Sequence, residues 1–137
     1  MFYVGFLTSS LALAASAAAI ILVLFSLFRK QTRIPSAAVL LTKLSFFGHS
    51  AALLSLMIMQ VLQDYSNVYV VSVINPAMPW ILKITALWGG QTGSLFFWSW
   101  IVSLCAFLAL TGKKHLLDNW SFLVVSLNQI LFLALSL

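Results

Sequence analysis

Four stretches of this chain are each long and apolar enough to cross a lipid bilayer as a helix, and together they take up most of its 137 residues. They are expected as spans over about 3–28, 37–62, 92–110 and 116–137, leaving a loop at 63–91. A hydrocarbon core needs roughly 20 helical residues. Helices are preferred to strands because the apolar runs are continuous, and a segment in lipid must satisfy its own backbone hydrogen bonds. With 63% of residues hydrophobic and only 7% charged, too little polar surface remains for a water-soluble domain of this size. The expected fold is therefore all-α: one integral membrane domain over 1–137 with four transmembrane helices.

The few charges suggest an orientation. Arg29, Lys30, Arg33 and Lys43 flank the first connection, and Lys113, Lys114 and His115 occupy the third. The middle one carries only Asp64 and Lys83. Under the positive-inside rule both termini and the 63–91 loop are expected on the outer face. The net charge of +5 is accounted for by the short basic loops, so no nucleic-acid partner is expected. Residues 11–19, LALAASAAA, resemble a signal cleavage region, but no basic residue precedes them. The first segment therefore reads as a retained helix whose alanines, serines and Gly5 permit close helix contact. Cys105 stands alone in the third span, with no intrachain disulfide or redox pair open to it, and reads as packing.

The polar material gathers at the expected outer loop. Asp64, Ser66 and Asn67 can end the second helix and turn the chain. Tyr65, Tyr69 and the run Val68 to Val73 suit an interface and are ambiguous between strand and helix. Asn75 and Pro76 favour a turn. Pro79 followed by Trp80 suits the start of a short interfacial helix, from which Lys83 would reach headgroups or an acidic partner. Trp88 belongs at the lipid interface. Gly89, Gly90 and Gly93 permit either a left-handed turn or close approach of another group. Thr92 or Ser94 is placed to cap the third span, after which Phe96, Phe97, Trp98 and Trp100 present aromatic surface on more than one face. Interface anchoring and helix packing are sufficient reasons for all of this.

No familiar catalytic set emerges. The glycines lack the Gly-Lys-Ser/Thr of a phosphate loop and the strand–loop–helix setting of a dinucleotide fold. Asp64 and Asp118 fall on opposite faces, which rules against a glycosidase-like pair, and no Ser–His–carboxylate set converges. His49 lies within the second span, where an imidazole hydrogen-bonds to a neighbouring helix, ligates haem or metal, or carries a proton; the structural bond is the expected role. His115 belongs to a basic turn. No catalytic residue and no metal site are assigned, and the cofactor-binding residues stay unknown.

The stretch DYSNVYVVSVINPAMPWILKITALWGGQTGSLFFWSW resembles the N-terminal region of the CcmF-type cytochrome c haem lyase component. The matching pieces are Asp64-Tyr65-Ser66, Tyr69-Val70, the region from Asn75 to Pro79, Lys83, and Trp88-Gly89-Gly90 followed by Gly93-Ser94-Leu95. The basic connection after the first helix and the four-helix spacing agree. One position departs: the family commonly has glutamate before the glycine–serine pair, where this chain has Thr92, which offers only neutral hydrogen bonds.

The resemblance implies assembly of c-type cytochromes, in which reduced haem is joined to the thiols of apocytochrome c on the outer side of the membrane. It implies haem in the complete complex and, as partners, the remaining lyase fragment or subunits, a haem delivery protein and apocytochrome c. The setting it implies is the bacterial inner membrane or an equivalent energy-transducing membrane. The family's tryptophan-rich haem-handling region and axial histidines lie farther along a much larger polypeptide, so no axial ligand is assigned here. The chain is expected to be the N-terminal part of a larger or split lyase, catalytically incomplete alone. In this reading Trp88, the three glycines and Ser94 fix the entry of the third span, with Trp80, Trp98 and Trp100 anchoring or packing beside it. Asn128 and Gln129 need partners if buried, which another subunit would supply. The alternatives are a structural accessory subunit of another membrane complex, a small four-helix transporter and a free-standing haem-binding protein.

Overall fold

The computed structural model describes residues 2–31, 33–111 and 118–136. These are helical throughout, apart from turns and connections: α1 (Phe2–Phe28), α2 (Ser36–Leu62), α3 (Val68–Val73), α4 (Trp80–Thr85) running into a 3₁₀ turn at Ala86–Trp88, α5 (Gln91–Thr111) and α6 (Asn119–Ser136). Three helices, spanning Tyr3–Phe28, Ser36–Leu62 and Gln91–Thr111, are long and apolar enough to cross a membrane. The 18 residues of α6 make a shorter apolar helix, about 27 Å long at 1.5 Å per residue. Lys113, Lys114, His115 and the expected start of the last span at Leu116 lie outside the described residues.

Both early connections begin with a left-handed residue that is not glycine. Lys30, at φ 54°, follows α1, and Gln63, at φ 56°, follows α2. In each case the next amide reaches back five residues, from Gln31 to the Ser26 carbonyl at 3.0 Å and from Asp64 to the Met59 carbonyl at 2.9 Å. This Schellman arrangement satisfies carbonyls that a helix end otherwise leaves bare. Gln63 therefore ends α2, where the sequence had suggested Asp64, Ser66 and Asn67. Arg29 lies over the Phe25 ring, 4.4 Å from its centre. Lys43, counted with the first connection, is inside α2.

The four long helices close a ring: α1 packs on α2, α2 on α5, α5 on α6 and α6 on α1. Hydrophobicity does not choose the buried faces, because these helices are apolar all round. Small and hydroxyl residues do. The buried positions of α1 are Ser9, Ala12, Ser16, Ala19, Val23 and Ser26, separated alternately by three and four residues. The same alternation runs through Ala38, Thr42, Ser45, His49 and Ala52 on α2, and through Asn119, Phe122, Ser126, Gln129 and Leu133 on α6. On α5, Phe96, Ser99, Ser103, Ala106 and Leu110 repeat it. Such spacing is that of a coiled-coil seam, and small residues along it let membrane helices approach closely. At Gly48 a methyl group would meet the Thr8 carbonyl oxygen at 3.2 Å and the Ala12 side chain at 3.3 Å.

The hydroxyls bond across the ring. Ser45 donates to the Ala12 carbonyl at 2.9 Å and shares a 2.7 Å bond with Ser16. The Gln129 amide donates to Ser45 at 3.0 Å, and Ser99 donates to the Gln129 carbonyl at 3.3 Å. One serine thus ties together α1, α2 and α6, and Gln129 adds α5. The partner sought for Gln129 in another subunit is inside the bundle. Asn128 is exposed and bonds its own helix at the Val124 carbonyl. Asn119 donates to the Gln31 carbonyl at 2.8 Å, joining the start of α6 to the first connection.

Candidate functional site

At the other end of the bundle, the segment between α2 and α5 folds into a small helical cap. Asp64 opens it by accepting the Ser66 amide, and hydrogen bonding from the Ser66 side chain first, then from that amide, holds its carboxyl below the usual carboxylate range. Asn67 then caps α3, accepting the Tyr69 amide at 2.8 Å. The run Val68 to Val73, open between strand and helix in the sequence, is therefore helical; the cap satisfies a first-turn donor that β-branched residues cannot. Asn75 turns the chain, its side chain accepting the Ala77 amide and its carbonyl the Met78 amide. Pro79, with no amide to lose, leads into α4 and its carbonyl accepts the Lys83 amide.

Tyr69 joins this cap to the head of α5. Its hydroxyl points at the carbonyl oxygens of Ala86 and Leu87, each 3.0 Å away, so one phenol spans both acceptors of the 3₁₀ turn. Partial burial pushes the phenol above its ordinary value of 10.0. Gly90 and Gly93 form the wall against which the ring lies. A methyl group on Gly90 would stand 2.7 Å from a Tyr69 ring carbon, and one on Gly93 would overlap the Tyr69 hydroxyl and the Leu87 carbonyl oxygen. None of these glycines has a positive φ. Of the two roles open to them in the sequence, close approach is the one that Gly90 and Gly93 serve. Gly89 closes the 3₁₀ turn, its amide donating to the Ala86 carbonyl at 2.9 Å.

The expected cap of the third span differs. The helix starts at Gln91, so Thr92 and Ser94 lie within its first turn, and the Ser94 hydroxyl bonds back to the Gln91 carbonyl at 2.9 Å. Lys83 does not reach outward: its side chain is only 7% exposed. Cys105, expected to pack, is exposed.

The aromatic residues divide into two groups. Trp88 meets Phe97 edge-on at 4.8 Å, Phe97 stacks on Trp100 at 5.9 Å, and Phe46 bridges Trp100 to Phe107, stacking on the latter at 4.6 Å. The Trp100 indole also donates to Ser50 at 2.9 Å. Trp100 is thus a packing residue that joins α5 to α2. Trp80 and Trp98 are exposed and belong to the outer surface of the bundle, as does Tyr65.

Between α1, α2, α3 and α5 lies a cavity of about 460 Å³. Its deeper wall is Ala52, Leu56 and Phe96, and Asn67, Tyr69, Ser72 and Thr92 line it at the cap. Behind Phe96, whose ring centre is 5.0 Å away, lies His49, fully buried. Neither imidazole nitrogen has a hydrogen-bond partner among the described residues, so the structural bond expected of His49 is not made there. Sequence reading also missed Gln60 and Ser103, buried with unpartnered polar atoms. No three His, Cys, Asp or Glu side chains come together as a metal site among the described residues.

No family model matches the chain. It is similar to two proteins of Haemophilus influenzae: the cytochrome c-type biogenesis protein NrfE, 33% identical over 112 residues, and CcmF, 31% identical over 71 residues. The first match covers 77% of this chain and 17% of NrfE, and the second covers 52% of this chain and 11% of CcmF. A solved structure titled cytochrome c heme lyase CcmF matches 96% of this chain with a TM-score of 0.80 and 28% identity, the match covering 23% of that protein. The chain thus spans between about a tenth and a quarter of the relatives it matches. The resemblance to the N-terminal region of CcmF-type proteins, read from Asp64 to Trp100, holds in both sequence and fold. Its apolar helices and these relatives make the chain a multi-pass membrane protein.

Proposed function

We propose that this chain, which belongs to the CcmF/NrfE family of cytochrome c-type biogenesis proteins and has the fold of its N-terminal region, serves as a membrane scaffold in cytochrome c maturation. In this reading it helps a haem lyase assembly attach haem to apocytochrome c on the outer face. The observation that carries the proposal is the 96% coverage of the chain at a TM-score of 0.80 by a haem lyase structure.

The topology proposed with it has four spans, α6 being the fourth. Its length of about 27 Å approaches the roughly 30 Å hydrocarbon core, and it packs on both α5 and α1. Arg29, Lys30 and Arg33 lie at the end of the bundle opposite the α3–α4 cap, which supports placing that cap and both termini outside. The exposed Trp80, Ile81 and Leu82 support an interfacial setting for α4.

Haem itself does not fit the described residues that line the cavity. None of the side chains lining the cavity is an imidazole, and none is a cation to pair with haem carboxylates. Haem therefore belongs to the rest of the assembly as its substrate, held by the remaining lyase portion and supplied by a delivery protein. Gentle detergent isolation from the native host, with subunits identified and absorption spectra recorded, tests this. Co-purification with a histidine-bearing lyase portion and haem is expected. A stable complex with neither haem nor any cytochrome-assembly component would overturn the reading and leave a structural accessory subunit in its place.

A further inference from the structure

The cavity has a polarity gradient that its scaffold role does not use. Toward the middle of the bundle its wall is Ala52, Leu56 and Phe96, beside Ser9, whose hydroxyl is turned back onto the Phe6 carbonyl of its own helix, while Asn67, Ser72 and Thr92 bring amide and hydroxyl groups to the cap end. None of the described residues lining it is charged. At about 460 Å³ it falls within the range of small-molecule sites, which are mostly apolar with a few placed polar groups.

The lining also includes two side chains that show where a ligand would enter. Phe6 of α1 is 51% exposed and Val68 of α3 is 86% exposed. An opening flanked by bare apolar side chains faces lipid more cheaply than water, since exposing such surface to water costs about 25 cal/mol per Å². In the topology proposed above, on which this step rests, entry is sideways from the bilayer, with the polar groups at headgroup level and the apolar wall at acyl-chain depth. An anionic headgroup, and haem with its carboxylates, would enter a site with no compensating cation, a costly burial. A neutral head needs only the hydrogen bonds that Asn67, Ser72 and Thr92 offer.

From this geometry we infer that the cavity between α1, α2, α3 and α5 binds one uncharged membrane amphiphile, its apolar tail against Phe96 and Leu56 and its hydroxyl or ester head at Asn67, Ser72 and Thr92. The site is separate from haem handling, so its loss and the loss of lyase assembly are read independently.

The test uses the complex isolated from native membranes and a monoacylglycerol carrying a photoreactive diazirine on its chain. Labelled peptides should map to Phe6, Leu56 and Phe96. Unlabelled monoacylglycerol should compete, and phosphatidylglycerol should not. Ala52→Phe, which fills the deep wall, should lower labelling at least about tenfold. Thr92→Val, at an exposed position that leaves the fold intact, should lower it about threefold by removing one hydrogen bond. Labelling spread evenly over the lipid-facing sides of α1, α2 and α5 would overturn the inference. So would competition by haem or phosphatidylglycerol, unchanged labelling of Thr92→Val, or crosslinks showing a helix of another subunit seated in the cavity.

Discussion

The Tyr69 hydroxyl occupies the space that a side chain at position 93 would need, and it does so while spanning the carbonyls of Ala86 and Leu87. This pair sets where α3 sits on the head of α5, and the cap with its cavity depends on the result.

Two glycine substitutions should separate the causes of that fit. At Gly90 the nearest obstacles are the Tyr69 ring and hydroxyl and the Val73 side chain. At Gly93 the Leu87 backbone carbonyl also stands in the way. Each change to alanine should lower stability by about 1–3 kcal/mol through overpacking. Adding Tyr69→Ala should make the Gly90→Ala change nearly neutral relative to Tyr69→Ala alone, while Gly93→Ala keeps most of its cost. Thermal melts of the detergent-solubilised single and double variants measure this as a coupling. Equal coupling at both positions would contradict the role given to Leu87.

Tyr69→Phe keeps the ring and removes the hydroxyl from two carbonyls, and should cost about 1 kcal/mol in the same assay. The phenol also predicts a pH dependence. Its native value is raised, so above the ordinary 10.0 the folded state holds the proton more tightly than the unfolded state. Its stabilising contribution is complete below that value and is lost as pH rises toward the native one. The wild type should lose stability in that alkaline window more steeply than Tyr69→Phe. Parallel curves would show that the phenol is not the group responsible.

Ser45 should matter more than Ser16, although both are buried and they bond to each other. Ser45 also bonds the Ala12 carbonyl and the Gln129 amide, so Ser45→Ala strands three groups on two helices, α1 and α6. Interhelical hydrogen bonds in membranes average about 0.6 kcal/mol, which puts Ser45→Ala at about 2 kcal/mol and Ser16→Ala at about 0.6. Unfolding by denaturing detergent against mole fraction ranks them. A reversed order would mean that the network is not organised around Ser45.

His49 should behave in the opposite sense. Its two nitrogens are buried without partners among the described residues, and its ring lies against Phe96. Replacing an unsatisfied buried polar group with an apolar one of similar size is neutral or stabilising. His49→Leu should therefore hold or raise the melting temperature, by up to about 1 kcal/mol in stability terms. A clear loss would show that the imidazole bonds to something in the assembled protein.

Much of the helical framework was legible because long apolar runs announce themselves without reference to any partner. The helices α1, α2 and α5 lie where those runs are, and Pro79 marked the start of α4. What escaped was the buried face. The three-and-four spacing of serine and alanine on α1 is visible in the chain, but an even background of apolar residues hides it from any search for hydrophobic periodicity. Gln129 seemed to need another subunit because its amide could be seen while Ser45, 84 residues away, could not be placed beside it. The glycines near Trp88 could equally have meant turns or close contact, and only the position of Tyr69 decides between them.

The medium and the helices follow from the order of residues alone, since a segment in lipid must bond its own backbone and about 20 apolar residues leave it no other course. That order also carried the resemblance to the CcmF-type N-terminal region in the pattern from Asp64 to Trp100. Which serines face one another, the burial of Lys83, the place of His49 behind Phe96 and the seat of Tyr69 on Gly90 and Gly93 came from the packing of the helices. The physical reason is that apolar side chains are alike to lipid on every face of a helix, so the choice among faces falls to close packing and a few hydrogen bonds between residues far apart in the chain.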